Sequence, residues 1–251
     1  LFTLESDNDY EFYNSTKKDR PKEFISNAEV SQLGIAADIA LRLSKSTSWS
    51  LASWYQNSDK NLQTRMSNLT PDSSNQKDNQ IYTSSNLKFI KDNISLSLKS
   101  GFLYGDINFI DPMNKIKADN HFNSIINELE NKFIIRDFHE ILIGLNHTTD
   151  LAYSDSYISK KVQRERTSLF GSYKISLFEN RLKTAISIRD EIIDSKATPY
   201  VFSIGSDLML IKSLRLKGNI SKNYRIPTLN DLYWANTTFA EGNPNLVPES
   251  G

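Results

Sequence analysis

Apolar and polar residues alternate with a period of two along most of the chain. Leu33, Ile35, Ala37, Ile39, Leu41 and Leu43 share one parity, and Ile94, Leu96, Leu98, Phe102 and Tyr104 share another such face. The pattern returns in Leu169, Gly171, Tyr173, Ile175 and Leu177, and in Leu182, Thr184, Ile186 and Ile188. It continues through Tyr200, Phe202, Ile204, Ser206, Leu208 and Leu210, then Leu214, Leu216, Gly218 and Ile220. The intervening positions are polar, small or charged, among them Lys174, Lys183, Arg189, Asp207, Arg215 and Lys217. Successive side chains of a strand point to opposite faces, so this period predicts half-buried antiparallel strands. Each run covers roughly nine to eleven residues, longer than the five or six usual in globular domains and suited to an oblique bilayer crossing.

The connections alternate in length. Short turns are predicted at 45–47, 91–93, 178–180 and 211–213, and long polar stretches at 14–27, 57–80, 105–118, 149–165 and 225–243. In an up-and-down meander every second connection falls at the same end. Tight turns at one end and long loops at the other describe an outer-membrane barrel, whereas a soluble sandwich mixes loop lengths at both ends. About eleven strands fit this reading. One segment is ambiguous: Phe122, Ile125, Ile126, Leu129 and Phe133 have helical spacing. The same residues fit a descending strand over 119–129, a turn, and a new strand over 137–148, and strand is the expectation because a return is needed there.

Composition narrows the classes. Lys plus Arg and Asp plus Glu both number 30, and the zero net charge argues against a nucleic-acid binder held by bulk electrostatics. There is no cysteine, which excludes a disulfide scaffold, a Cys-ligated zinc site and a thiol nucleophile. No apolar run reaches the roughly 18 residues of a membrane helix, but alternating strands hide a lipid-facing surface inside a polar average. Leu1-Phe2-Thr3-Leu4 opens on alternation without a signal sequence, and Val247-Pro248-Glu249-Ser250-Gly251 stops without a finishing element. The chain is therefore expected to be a piece of a longer protein.

Asn223-Tyr224-Arg225-Ile226-Pro227-Thr228 and, after a loop, Glu241-Gly242-Asn243-Pro244-Asn245-Leu246-Val247-Pro248-Glu249 carry a specific resemblance. The paired segments resemble the TonB-dependent outer-membrane receptors, in which a strand ends in Arg-x-Pro-Thr and a Gly-Asn-Pro-x-Leu-x-Pro-Glu run leads into the next strand. His139-Glu140-Ile141-Leu142-Ile143-Gly144 is similar to a mid-barrel strand of that family. Ile186-Ser187-Ile188-Arg189-Asp190 is similar to another, with Ser187 where the family usually has Gly. The resemblance is strong over 137–251 and looser from 28 onward, and it points to the cobalamin- and siderophore-receptor type of Gram-negative bacteria.

The resemblance implies an all-β, antiparallel up-and-down transmembrane barrel, of which residues 1–251 supply about half of 22 strands. It implies energy-coupled uptake of a scarce nutrient such as a metal chelate or cobalamin. The implied partners are outer-membrane lipid, an extracellular small molecule, and the TonB energy-transducing complex acting through a plug expected to lie outside these residues. The motif residues Arg225, Pro227, Gly242, Asn243, Pro244, Leu246, Pro248 and Glu249 are expected to shape the loop. Pro227 belongs where ladder pairing stops, and Gly242-Asn243 would permit the positive φ of a tight turn. Arg225 is expected to bond loop carbonyls or an acid at the rim. Ligand contact is expected at Tyr153 and Tyr157 in 149–165 and at Tyr233, Trp234 and Phe239 in 225–243, because exposed loop aromatics offer large contact area at low entropy cost.

No catalytic constellation emerges. His139 and His147 share one strand face eight residues apart, about 27 Å, far beyond a common metal ion. Asp190-Glu191 and Glu128/Glu130 read as solvated faces rather than paired catalytic acids. No phosphate loop, nucleophile elbow or metalloprotease helix is present, and no cofactor is expected. Two other readings are a porin or adhesin barrel without energy coupling, and a secreted all-β polysaccharide enzyme, which would need paired carboxylates at a cleft.

Overall fold

The structure, a computed structural model, describes residues 1–63, 73–136, 138–235 and 240–251. Its strands are β1 (Phe2–Ser6), β2 (Glu11–Tyr13), β3 (Lys22–Phe24), β4 (Val30–Arg42), β5 (Thr47–Asn61), β6 (Asn75–Lys91), β7 (Ile94–Asp111) and β8 (Ile116–Ile135). They continue with β9 (His139–Ser154), β10 (Lys161–Leu177), β11 (Leu182–Ile193), β12 (Lys196–Ala197), β13 (Val201–Ile211), β14 (Leu214–Lys222) and β15 (Tyr224–Arg225). Among the described residues a single helix, α1 (Leu229–Tyr233), precedes β16 (Glu249–Ser250). The main sheet has 12 strands in the order β1-β4-β5-β6-β7-β8-β9-β10-β11-β13-β14, with β12 paired to β11. Neighbours are antiparallel throughout, the topology of an open section of an up-and-down barrel.

The register explains why this wall needs lipid. Ile141, Tyr173, Ile186, Ile204 and Ile220 lie in one cross-strand row, and Leu98, Leu129, Leu145 and Leu169 in another. The apolar parities of all these strands therefore fall on one face. On the opposite face Lys174 pairs with Glu140, Lys99 with Glu128 and Glu130, and Asp207 with Lys217. Among the described residues only Ala152, Tyr157 and Val162 are buried and apolar. A wall with so little core and a continuous exposed apolar face is a structure solvated by hydrocarbon on that side.

The short turns fall where the alternation places them: after Arg42, between Lys91 and Ile94, between Leu177 and Leu182, and between Ile211 and Leu214. A further turn follows Ile135, so residues 116–135 form one strand rather than a helix. The turn expected between 129 and 137 begins only after Ile135.

The long polar stretches depart further from expectation. Strand β5 runs to Asn61 and β6 starts at Asn75; β7 and β8 are joined across 112–115, and β9 and β10 across 155–160. Most of 105–118 and of 149–165 is therefore strand, not loop, and strand reaches into both ends of 57–80, at 57–61 and 75–80. Above the bilayer a ladder has water on both faces, so polar residues serve on both. The extension is held by cross-strand pairs such as Lys77 Nζ–Asp59 Oδ2 at 2.9 Å, Lys60 Nζ–Asp78 Oδ2 at 2.7 Å and Asn57 Nδ2 to Asn79 Oδ1 at 2.7 Å. The Asn75 amide and the Lys77 ammonium hold the Asp59 carboxyl below the usual carboxylate range. Within 7–29, β2 and β3 form a separate hairpin closed over the buried Asn14, whose amide donates to Glu23.

Candidate functional site

The two halves of the Arg-x-Pro-Thr and Gly-Asn-Pro motif meet. Arg225 pairs with Glu249 and Tyr224 with Ser250, so β15 and β16 form a small ladder at the end opposite the short turns. Pro227 lies just beyond β15, where pairing has stopped. Thr228 then caps α1: its hydroxyl accepts from the Asp231 N–H at 3.1 Å, and Asp231 Oδ2 accepts from the Thr228 N–H at 2.8 Å. The Thr228 N–H first, and its hydroxyl second, hold the Asp231 carboxyl below its usual range. Arg225 Nη2 lies 3.7 Å from Asp231 Oδ2, the acid at the rim that its position called for.

Gly242 does a different job from the one expected. No glycine described here has positive φ, and Asn243 is not in the left-handed region either. Space sets the requirement: a Cβ at Gly242 would lie 2.5 Å from the Trp234 nitrogen and 2.8 Å from backbone atoms of Leu232 and Tyr233. The close approach lets Gly242 N–H donate to Trp234 O at 2.9 Å and Asn243 N–H to Asp231 O at 2.8 Å, satisfying carbonyls in the last turn of α1. Asn243 Oδ1 in turn accepts from the Asn245 N–H, and Leu246 N–H bonds back to Asn243 O. Pro244 lies within that turn, and Pro248 immediately precedes β16.

The helix is seated on the charged, inner face of β9 and β10. Leu229 and Tyr233, four residues apart and so on one side of α1, pack with Trp234 against Ala152, Tyr157 and Val162. Tyr157 Oη donates to Asn230 Oδ1 at 2.6 Å, Ile158 N–H to Tyr233 O at 3.0 Å, and Ala235 N–H to Ser156 O at 2.7 Å. Burial pushes the Tyr157 hydroxyl pKa up. The buried Arg164 guanidinium donates to Pro227 O at 2.9 Å, tying the segment to the wall from below. On the far side Tyr224 Oη donates to Glu191 Oε2, and burial and that carboxylate both raise the tyrosine.

The aromatics singled out from sequence thus divide. Tyr157, Tyr233 and Trp234 form one cluster, with Tyr157 and Tyr233 rings 6.4 Å apart and Tyr157 bridged to Trp234. Tyr153 sits in β9 on the opposite face, its hydroxyl donating to Asp155 at 3.0 Å; that bond raises the tyrosine and lowers the aspartate. Phe239 lies outside the described residues.

One metal-capable grouping escapes a sequence reading that compares only His139 and His147. Asp106 and His121 are direct cross-strand partners, and Asp119 precedes His121 by two on the same face. The His121 ring lies between the two carboxylates, Nδ1 at 2.9 Å from Asp106 Oδ1 and Nε2 at 3.4 Å from Asp119 Oδ2. Each ring nitrogen faces its own acid, and one ligand atom from each of the three residues lies within 4.8 Å of the other two, the spacing of a candidate cation site. His139 and His147 bond to Tyr173 and Thr167 respectively, each on the apolar face.

The family described as TonB dependent receptor-like, beta-barrel, matches residues 2–251. The chain belongs to the TonB-dependent receptor β-barrel family. It is an outer-membrane chain, and its apolar face is the lipid face. The vitamin B12 transporter BtuB of Photobacterium profundum is 27% identical over 124 residues, which are 48% of this chain and 19% of that relative. The siderophore receptor PirA of Pseudomonas aeruginosa superposes with a TM-score of 0.70 at 10% identity, over 88% of this chain and 41% of that one. The ferric enterobactin receptor PfeA (mutant G324V) of the same organism gives 0.68 at 13% identity, over 81% and 34%. The chain thus spans less than half the length of each of these proteins, and the likeness to the solved structures is one of fold.

Proposed function

We propose that the protein to which this wall belongs is a receptor for energy-coupled uptake of a scarce small molecule, a metal chelate, cobalamin or similar compound. The ligand is taken from the outside at the end opposite the short turns. A plug within the parent chain, pulled by the TonB complex, admits it. The observation that carries this reading is the seating of α1. A plain strand pair would suffice to close a porin hairpin, whereas here a capped helix is folded inward, so that Trp234 stands at the mouth of the lumen. Trp234 is the principal ligand contact on this reading, with Tyr233 and Tyr157 behind it and Phe239 as a further contact; Tyr153, on the outer face of β9, would meet a ligand only above the rim. The role is binding and transport rather than catalysis.

Trp234→Ala in the full-length receptor is expected to raise the dissociation constant for its ligand about three- to thirty-fold, the effect of losing one indole face worth about 1–2 kcal/mol. The amount of folded, heat-modifiable barrel should not change. Whole-cell binding that is unaltered while expression falls would make Trp234 a packing residue. Accumulation insensitive to a protonophore would favour the porin or adhesin alternative.

A further inference from the structure

The lumen face of a barrel is ordinarily polar, yet beside α1 large apolar side chains stand among Gln80, Asn120, Ser154 and Asn230. Tyr82 of β6, Leu103 and Phe109 of β7, and Phe122 of β8 point inward next to Tyr157 and Trp234 and line a groove of about 650 Å³. Their positions are opposite in parity to the lipid face: Tyr82 opposes Leu103, while Phe122 opposes both Gly105 and Ala152. Trp54 stacks on Tyr82 with ring centroids 5.2 Å apart and planes at 18°, extending the aromatic surface into β5. Tyr82 and Phe122 remain more than a third exposed.

No lysine, arginine, aspartate or glutamate is among the described residues that line the groove, and charges elsewhere on this face are paired. On the same face Lys60 pairs with Asp78 at 2.7 Å, Arg166 with Asp150 at 3.3 Å, Arg189 with Glu191 at 3.0 Å and Lys99 with Glu130 at 2.7 Å. Arg164 is buried and committed to the Pro227 carbonyl. A polyanionic chelate seated here would find no lysine or arginine in the lining to offset the loss of its hydration. An uncharged ligand with a broad apolar face would cover exposed rings and leave every pair intact.

We infer that this groove takes an uncharged ligand with a wide apolar face, and that Tyr82 and Phe122 select it against anionic ferric chelates. The inference rests on the uptake reading and narrows it to a substrate class. Its test uses the full-length receptor in intact cells and two labelled probes: cyanocobalamin, uncharged overall, and a ferric tris-catecholate, an anion. Cyanocobalamin should bind the more tightly. Tyr82→Ala and Phe122→Ala should each raise its dissociation constant about three- to thirty-fold, with the quantity of heat-modifiable barrel unchanged.

Tighter binding of the catecholate overturns the inference, as does binding of neither probe. Cyanocobalamin binding that ignores both substitutions overturns it too. A loss of folded barrel with an unaltered dissociation constant would mean that the plug, not a ligand, fills the groove, and would also overturn it. The uptake reading is judged separately: protonophore-sensitive accumulation of the catecholate would sustain it while the groove assignment fell, and energy-independent entry of both probes would strike it directly.

Discussion

Ile204→Arg should nearly abolish assembly of the full-length receptor in the outer membrane, whereas Ser203→Arg, one residue away, should be tolerated. Ile204 lies between Ile186 on β11 and Ile220 on β14, on the face that carries the apolar rows. Its side chain is 41% exposed in the isolated wall, so lipid is what covers it. An arginine near the middle of that band costs about 2–4 kcal/mol, and neither cross-strand partner is an acid that could offset it. Ser203 points the other way, where its hydroxyl donates to Asn219 at 3.1 Å among charged neighbours in the lumen. Both variants would be read by the fraction of heat-modifiable barrel in outer-membrane preparations. Equal yields would mean that the two faces have been exchanged or that the wall does not contact lipid.

Gly242→Ala should release α1 without harming the barrel. Even the one added carbon would lie within 3 Å of three backbone atoms in the last turn of the helix, and backbone cannot rotate away as a flexible side chain can. Relief requires the two segments to separate, which removes the bonds from Gly242 N–H and Asn243 N–H to the carbonyls of Trp234 and Asp231. Overpacking of this kind costs about 1–3 kcal/mol. The barrel ladder does not run through these residues, so the heat-modifiable fraction should stay at the wild-type level. Proteolytic cleavage within 223–251 should rise about tenfold or more, and ligand affinity should fall with it. An unchanged cleavage rate would show that Gly242 can be substituted and that the seating of α1 does not depend on it.

The sheet was legible because its solvent differs on its two faces. Wherever one face meets lipid, alternation such as Ile186-Ser187-Ile188 fixes both the strand and its parity, and Asn-, Asp- and Lys-bearing turns punctuate it. Legibility failed where that difference vanished. Above the bilayer Asp59, Lys60, Lys77 and Asp78 have water on both faces, so strand and loop share one composition, and the extended ladder reads as loop. The site was legible only as far as local chemistry reaches. Thr228 followed by Asp231 is a capping pattern within four residues that the loop reading of 225–243 passed over, and Tyr157 and Asn230 are 73 residues apart, so their bond depends on the whole meander. Asp106 and His121 needed the register of β7 on β8. The inward aromatics leave a local signal: Trp54, Tyr82 and Phe122 are apolar residues at the polar positions of their own strands.

The central claim is that α1 stands at the outer mouth of the lumen, in the path of the ligand. The absence of cysteine from the sequence allows a direct test, since a single Cys can be placed at will. Trp234→Cys in the full-length receptor, treated in intact cells with a membrane-impermeant maleimide, should label from outside, and saturating ligand should slow labelling several-fold. Ile204→Cys, facing lipid, should stay unlabelled by the same reagent. Labelling at position 234 only after the outer membrane is breached, or at a rate that ligand leaves untouched, would contradict the account.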